Sequence, residues 1–194
     1  MYRYFKRFLD IVLSAAGLLV LSPILLKIAD AIKLDSKGPV LFKQKRVAKG
    51  KEHFQILKFR TMYADVPKDV PTHLLADPES KITKIGRFLR KSSLDELPQI
   101  WNILVGEMSI IGPRPALWNQ FDLIAERDKY GANDVRPGLT GLAQVMGRDE
   151  LPIEVKAKYD GEYAQNVTFA NDVKIFFKTI TSVLGAKGVK EGKQ

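Results

Sequence analysis

The 194-residue chain contains no cysteine and only two histidines, His53 and His73. Without cysteine, disulfide bonds, thiol nucleophiles and Cys-based zinc or iron–sulfur sites are excluded. With only two histidines, a His-based metal site or a Ser-His-Asp triad is not expected. Polar chemistry in this protein must therefore depend on carboxylates, arginine, lysine and hydroxyl groups.

The chain also has fewer acidic than basic residues. It contains 22 Asp and Glu residues and 31 Lys and Arg residues, which gives a net charge of +9. A basic chain suits polyanionic partners, such as nucleic acid, anionic lipid headgroups or phosphorylated substrates. Nucleic acid is not expected, because the chain lacks aromatic–basic interleaving on strands and any binding signature. Hydrophobic residues make up 45% of the chain, and its length suits one compact domain with an appendage.

The appendage is an uncharged run of 16 residues from position 11 to position 26. A straight helix of that length is roughly 24 Å long, short of a hydrocarbon core of about 30 Å. Basic residues flank both ends, and positive charge marks the cytoplasmic side of a membrane. Ser22-Pro23 interrupts the run, and proline removes a backbone donor there. These features favour a re-entrant membrane helix over residues 1–35, broken at Ser22-Pro23. A spanning anchor, a buried core helix and a signal peptide stay open as alternatives.

Residues 36–194 are predicted to form a compact globular domain. Short strands at 40–42 and 53–59, joined by a turn at 49–51, predict a β-hairpin. A proline-containing loop is predicted over 61–80, a short basic helix over 82–91, and amphipathic helices over 116–130 and 168–184. The predicted fold is therefore α+β, mostly helical, with a short β-hairpin and amphipathic interfacial helices.

Two adjacent carboxylates, Asp95 and Glu96, form the first of three dense motifs. Ser93 and Glu96 have the spacing of a capping box, which predicts a helix start. Asp95 would then lie in the first turn, where free N–H groups and the helix dipole favour an ionised carboxylate. Such a group can act as a nucleophile or a metal ligand, and a helix cap without chemistry is the alternative.

The other two motifs centre on arginine. Proline residues bracket Arg114 and hold it extended, which suits a guanidinium presented to phosphate. In the third motif, residues 135–148, Arg136 precedes a Pro-Gly turn and Arg148 follows a glycine that permits close approach of a ligand. Taken singly, each arginine is more often a surface charge or a structural pair.

Taken together and in this order, the motifs resemble those of the small monotopic phosphoglycosyl transferases of the bacterial sugar transferase family. The resemblance covers nearly the whole chain and is carried by residues 6–10, 22–23, 58–62, 93–99, 112–115 and 136–145. It is closest to the minimal catalytic form of the family. The chain departs from a common family pattern at Met146 and Asp149, where many members have asparagine.

The resemblance implies a polyprenyl-phosphate phosphoglycosyl transferase. Such an enzyme moves a sugar 1-phosphate from a UDP-sugar to polyprenol phosphate, usually undecaprenyl phosphate, and releases UMP. The reaction begins glycan assembly, such as exopolysaccharide or glycoconjugate synthesis, on the cytoplasmic face of the bacterial inner membrane. Expected partners are these two substrates, anionic membrane lipids and downstream glycosyltransferases. A catalytically idle membrane scaffold of glycan assembly is the alternative, and the sequence does not identify the sugar.

By the same resemblance, Asp95 is the nucleophile that forms an aspartyl-phosphosugar intermediate, and Glu96 is its partner acid. Both are expected to hold Mg²⁺, a hard ion that prefers carboxylate and phosphate oxygens. Cations must offset the repulsion between the phosphates and these carboxylates. The expected substrate-binding residues are Lys58, Arg60, Arg90, Arg114, Arg136, Gln144 and Arg148.

Overall fold

A computed structural model describes residues 2–67, 77–147 and 151–184. The described part is mostly helical with short strands, which confirms the predicted α+β class. Its elements, in chain order, are α1 (Tyr2–Asp35), β1 (Leu41–Val47), β2 (His53–Phe59), α2 (Lys84–Ser92), α3 (Gln99–Val105), β3 (Ser109–Ile111), α4 (Phe121–Asp128), β4 (Gly138–Thr140), α5 (Leu142–Met146), α6 (Ile153–Gln165) and α7 (Phe169–Leu184).

Helix α1 is 34 residues long, and by length and composition it is apolar enough to cross a membrane. The predicted break at Ser22-Pro23 is corrected, because the helix continues through both residues. The Ser22 hydroxyl donates a 2.8 Å hydrogen bond to the Leu19 carbonyl. That carbonyl lies four residues before Pro23, which has no N–H to offer it. Serine therefore supplies the missing donor. The re-entrant path and the division of the chain after residue 35 stay predictions.

The predicted hairpin is present as β1 and β2, which pair antiparallel from Leu41↔Phe59 to Val47↔His53. Alternate residues of β2, Phe54 and Ile56, are buried in a core cluster with Ile103 of α3. Asn102 fixes α3 to the same strand, because its side chain accepts from the Leu57 N–H and donates to the Gln55 carbonyl. The hairpin therefore forms a base for the segment that precedes α3.

Strands β3 and β4 form a parallel pair with Ser109 opposite Gly138. A Cβ on Gly138 would lie 2.1 Å from the Gly112 nitrogen, so the backbones can meet only where both residues are glycine. Sequence patterns did not predict this pair, because three-residue strands are too short to show an alternation. The pair joins the second and third sequence motifs side by side.

The first turns of α1 are bonded to the rest of the protein. Asp10 is buried and accepts hydrogen bonds from the Ser109 hydroxyl, at 2.8 Å, and from the Ile110 N–H, at 3.0 Å. Lys6 forms a 2.7 Å ion pair with Asp172 of α7. At the other end of α1, Ile32 is buried in a core cluster that includes Phe59 of β2 and Leu89 of α2. Both ends of α1 therefore contact the same domain.

Two predicted helices have different bounds in the structure. The helix predicted over 116–130 is shorter and spans Phe121–Asp128 as α4. The basic helix predicted over 82–91 spans Lys84–Ser92 as α2. The Thr83 side chain accepts from the Gly86 N–H and so defines where α2 begins.

Candidate active site

Asp95 and Glu96 lie in a single 3₁₀ turn, Leu94–Glu96, between α2 and α3. The predicted capping box is wrong, because Ser93 has a left-handed backbone (φ 57) and its side chain caps nothing. An N-cap residue needs an extended backbone to direct its side chain at the following N–H groups. Ser93 instead ends α2, with its N–H donating to the Arg90 carbonyl. As a result the Glu96 side chain is not turned back toward Ser93.

Glu96 is paired with two cations from distant parts of the chain. Its Oε1 atom lies 2.7 Å from Lys58 Nζ and 2.6 Å from Arg114 Nη2, and its side chain is 15% exposed. Burial alone would raise the pKa of Glu96, but Arg114 and Lys58 outweigh it and hold that pKa well below its usual range. Glu96 is therefore an ionised carboxylate that joins the end of β2 to the Arg114 loop.

Asp95 has a different environment from its neighbour. Burial raises the pKa of the Asp95 carboxyl, Lys58 opposes the rise, and the negative charge of Glu96 adds to it. Among the residues that the structure describes, none donates a hydrogen bond to this carboxylate or forms an ion pair with it. Asp95 is thus a half-buried acid whose oxygens are available to a ligand.

Three of the predicted cations surround these carboxylates. Lys58 and Arg114 bond to Glu96, while Arg90 acts electrostatically on Asp95 and donates from Nε to the Thr61 hydroxyl at 2.9 Å. Burial lowers the pKa of Lys58, and Glu96 opposes that change. The structure therefore brings Lys58, Arg90 and Arg114 together at the carboxylate pair.

Arg60 does not join this group. Its guanidinium donates 2.8 Å hydrogen bonds to the Ser36 and Lys37 carbonyls, and the residue is only 5% exposed. It holds the end of β2 against the segment that follows α1. These bonds hold Arg60 within the protein, and its predicted contact with substrate stays a prediction.

The residues predicted from the third motif lie farther along the fold. Arg136 is exposed, and its Nε donates to the Gly106 carbonyl, just beyond the end of α3 that is remote from the carboxylates. The Gln144 side chain donates to the Leu139 carbonyl, and within the described ranges its buried Oε1 has no hydrogen-bond partner. Arg148 and Asp149 lie outside the described residues, so the predicted role of Arg148 stays a prediction.

Two arginines that the sequence analysis did not select hold the Arg114 loop in place. Arg127 donates to the Arg114 carbonyl at 2.9 Å and forms a buried ion pair with Asp160 at 2.6 Å. Arg46 donates to the neighbouring Pro115 carbonyl at 3.0 Å. No sequence pattern indicated these roles, because each contact joins residues that are 13 or more positions apart in the chain.

The side chains of the site can be compared with the ligands that a metal ion requires. Within the described part of the chain, no cluster of three or more Asp, Glu, His or Cys residues is placed to hold an ion. A magnesium ion commonly takes one or two carboxylates and completes its shell with water and substrate phosphates. Asp95, with oxygens that no described residue occupies, and the adjacent Glu96 fit such a shared site.

Comparison with known proteins gives one family. Residues 1–186 match the model described as bacterial sugar transferase. The UDP-N-acetylgalactosamine-undecaprenyl-phosphate N-acetylgalactosaminephosphotransferase of Aeromonas hydrophila is 38% identical over 195 residues, which cover 97% of this chain and 46% of that protein. The UDP-glucose:undecaprenyl-phosphate glucose-1-phosphate transferase of Klebsiella pneumoniae is 38% identical over 189 residues, covering 91% of this chain and 39% of that protein.

A third relative is similar in length to the chain. The exopolysaccharide production protein ExoY of Sinorhizobium fredii is 33% identical over 197 residues, which cover 94% of this chain and 87% of that protein. The chain spans less than half the length of the Aeromonas and Klebsiella proteins.

Proposed function

The chain belongs to the bacterial sugar transferase family, and from that membership we propose that it transfers a sugar 1-phosphate from a UDP-sugar to polyprenol phosphate, releasing UMP. The Aeromonas and Klebsiella relatives are named for undecaprenyl phosphate as acceptor and for two different sugars. One observation carries the proposal: the oxygens of Asp95 are available beside Glu96, which two cations hold ionised. This is the arrangement that a carboxylate nucleophile needs next to a phosphate-binding group.

The proposed reaction has two displacement steps. Asp95 attacks the β-phosphorus of the UDP-sugar, a carboxylate–phosphorus bond forms, and the bond from that phosphorus to the bridging oxygen breaks to release UMP. A phosphate oxygen of polyprenol phosphate then attacks the aspartyl-phosphosugar and restores the Asp95 carboxylate. The products are UMP and polyprenyl diphosphosugar, so all phosphate groups are conserved. Covalent catalysis divides one difficult displacement between anions into two easier steps.

The cations of the site offset the negative charge that accumulates in these steps. Arg114 is the best placed, because its side chain is 38% exposed while it still bonds to Glu96. Its position is fixed by the hydrogen bonds that Arg127 and Arg46 donate to the carbonyls of its loop. A guanidinium held in this way stabilises phosphate charge without reorganising during the reaction.

Asp95 and Glu96 are the residues that would hold Mg²⁺ in this proposal. The ion, when bound, neutralises phosphate charge and polarises phosphoryl oxygens. Glu96 stays ionised through its pairs with Lys58 and Arg114, and Asp95 forms no such pair with any residue in the described part of the chain.

The proposed location is the cytoplasmic face of the bacterial inner membrane, with α1 as a re-entrant, monotopic anchor. Two observations support it: α1 is long and apolar enough to enter a membrane, and both of its ends contact the same domain. A helix whose two ends pack on one body is consistent with both ends lying on one side of the bilayer.

The test is UMP release by the purified protein in a neutral detergent, with Mg²⁺, undecaprenyl phosphate and a panel of UDP-sugars. We expect one or more UDP-sugars to release UMP and chelation of Mg²⁺ to stop the release. Asp95→Asn should abolish it, whereas the exposed Asp122→Asn should retain it. Incubation with Mg²⁺ and the UDP-sugar, but without undecaprenyl phosphate, should add the mass of a sugar phosphate to the wild type and to Asp122→Asn but not to Asp95→Asn.

Two outcomes would contradict the proposal. Normal turnover by Asp95→Asn would exclude the covalent mechanism. Absence of UMP release from every UDP-sugar would favour the idle scaffold instead.

A further inference from the structure

A second polar region lies around the first turns of α1, at the end of α3 opposite the carboxylate pair. It is a cavity of about 70 Å³. Five cationic side chains and two carboxylates line it: Arg3, Lys6, Arg7, Lys49 and Arg136, with Asp10 and Asp134. These residues come from α1, from the β1–β2 connection and from the segment before β4. We call this cavity the basic cavity.

Three of the charged residues that line the cavity already form ion pairs or hydrogen bonds with other groups of the protein. Lys6 is paired with Asp172 at 2.7 Å, and Asp10 accepts hydrogen bonds from Ser109 and from the Ile110 N–H. Arg7 donates from two nitrogens to the Ile103 and Leu104 carbonyls at the end of α3. These groups form the inner wall of the cavity.

Among the other charged residues that line the cavity, cations outnumber carboxylates. Arg3, Lys49 and Arg136 are exposed, and Asp134 is the exposed carboxylate that faces them. Arg136 has five N–H donors, and among the residues that the structure describes only the Gly106 carbonyl accepts from it, through Nε. Its charge also lies near that of Arg7, since both guanidiniums bond to carbonyls at the same helix end. An anion in the cavity would relieve this repulsion.

The size of the cavity limits what that anion is. Pockets for nucleotide-sized ligands have volumes of roughly 300–1,000 Å³. A cavity of about 70 Å³ suits a single tetrahedral phosphate group rather than a nucleotide-sugar.

The surroundings of the cavity indicate where the phosphate comes from. Tyr4, Phe5 and Phe8 lie on the same turns of α1 and are 86%, 50% and 60% exposed. Aromatic side chains next to basic residues, at the start of an apolar helix, are typical of the membrane–water interface. We propose that the basic cavity binds the phosphate group of an anionic phospholipid and so holds the start of α1 at headgroup depth.

The test measures lipid binding and not turnover, so its result is independent of the proposed reaction. Native mass spectrometry of the full chain, released from a neutral detergent, counts bound short-chain phosphatidylglycerol and, separately, short-chain phosphatidylcholine. We compare the wild type with Arg3→Gln/Lys49→Gln/Arg136→Gln. The matched control removes three exposed charges elsewhere, as Arg87→Gln/Lys91→Gln/Lys158→Gln.

We expect the wild type and the control to bind phosphatidylglycerol more tightly than phosphatidylcholine. The cavity variant should bind phosphatidylglycerol about fivefold more weakly for each charge removed. Thermal unfolding without lipid shows whether the triple variant is folded. If it is not, Lys49→Gln alone, in the exposed connection of the hairpin, carries the same comparison.

Three results would overturn the proposal. The first is equal binding of the two lipids by the wild type. The second is an equal loss of phosphatidylglycerol binding in the control variant. The third is displacement of phosphatidylglycerol by inorganic phosphate at the same concentration, which would assign the cavity to a free phosphate ion.

Discussion

Asp95 and Glu96 are adjacent in sequence and chemically similar, but their environments separate them. Lys58 and Arg114 hold Glu96 ionised, while burial and the neighbouring charge raise the pKa of Asp95. Two carboxyl groups whose pKa values are moved apart are suited to different tasks. The sequence indicated the pair, but only the folded contacts assign the cations to Glu96 and leave Asp95 available.

Lys58 should control the pH at which Asp95 becomes active. Because the Lys58 charge lowers the pKa of Asp95, Lys58→Met should raise that pKa further. The nucleophile must be ionised, so the acidic limb of the kcat profile for UMP release should move to higher pH. Loss of a cation at the site should also lower kcat at neutral pH on the order of 100-fold.

Lys91→Met is the matched control for this change, because Lys91 is exposed on α2. It should leave the acidic limb where it is in the wild type. A Lys58→Met profile whose acidic limb is unmoved, or lies at lower pH, would contradict the assignment of Asp95 as the titrating nucleophile.

Residue patterns predicted Lys58, Arg60 and Arg114 as substrate-binding residues, and the structure brings Lys58 and Arg114, but not Arg60, to the carboxylate pair. Lys58 and Arg60 are two positions apart, a spacing that places side chains on one face of a strand. However, β2 ends at Phe59, so the alternation does not extend to Arg60. Its guanidinium bonds to the carbonyls of residues 36 and 37, a contact that no local pattern reveals.

At the scale of the element, the capping-box spacing of Ser93 and Glu96 did not determine where a helix begins. The spacing of Ser93 and Glu96 is the same whether Ser93 starts a helix or ends one. The left-handed backbone of Ser93, whose N–H donates to the Arg90 carbonyl, shows that this residue ends α2. Similarly, the Ser22 hydroxyl compensates for Pro23, so a proline that predicts a break leaves α1 continuous.

The close approach of β3 and β4 should be sensitive to a single methyl group. A Cβ on Gly138 would lie 2.1 Å from the Gly112 nitrogen, so the backbone before Arg114 must shift. Gly138→Ala should lower the free energy of unfolding by about 1–3 kcal/mol. It should also reduce UMP release, because the displaced loop carries Arg114. Thermal unfolding in detergent and the turnover assay measure the two effects.

Gly17→Ala is the control for this variant. Its added Cβ would meet only side-chain atoms of Ile100, at 3.9 Å, which is an ordinary contact. Alanine also favours the helix, so stability should be unchanged or higher. If Gly138→Ala were as stable and as active as Gly17→Ala, the tight β3–β4 pair would not position the site.

The path of α1 through the membrane can be tested because the chain has no native cysteine. Tyr4 and Leu34 lie near the two ends of α1 and are 86% and 88% exposed. For a re-entrant helix, Tyr4→Cys and Leu34→Cys should both react with an impermeant maleimide only from the cytoplasmic side. Asp122→Cys, exposed on α4, reports the side of the catalytic domain. Labelling of the two ends from opposite sides would show a spanning helix.

At the scale of the whole molecule, the apolar helix and the candidate active site are one connected structure. Asp10 of α1 bonds to Ser109 and Ile110 of β3, and the chain leaves β3 directly into the loop that carries Arg114. These contacts join residues 99 and 100 positions apart. The hydrophobic run predicted the helix and the polar motifs predicted the site, but neither pattern carries information about a polar contact across that distance.

Asp10 should therefore affect catalysis from outside the site. Asp10→Ala removes the acceptor of the Ser109 hydroxyl and of the Ile110 N–H, and unpaired buried donors are costly. The free energy of unfolding should fall by about 2 kcal/mol. Because β3 then holds the Arg114 loop less firmly, kcat for UMP release should fall about tenfold.

Asp10→Asn separates positioning from a general loss of structure. Its side-chain oxygen can still accept from the Ile110 N–H, and its amide can donate to the Ser109 hydroxyl. We therefore expect Asp10→Asn to recover most of the stability and of the turnover that Asp10→Ala loses. Asp30→Ala, an exposed carboxylate on the same helix, should match the wild type in both measurements. If Asp10→Ala unfolded at a lower temperature but kept full kcat, α1 would contribute to stability alone, and its bonds to β3 would not position Arg114.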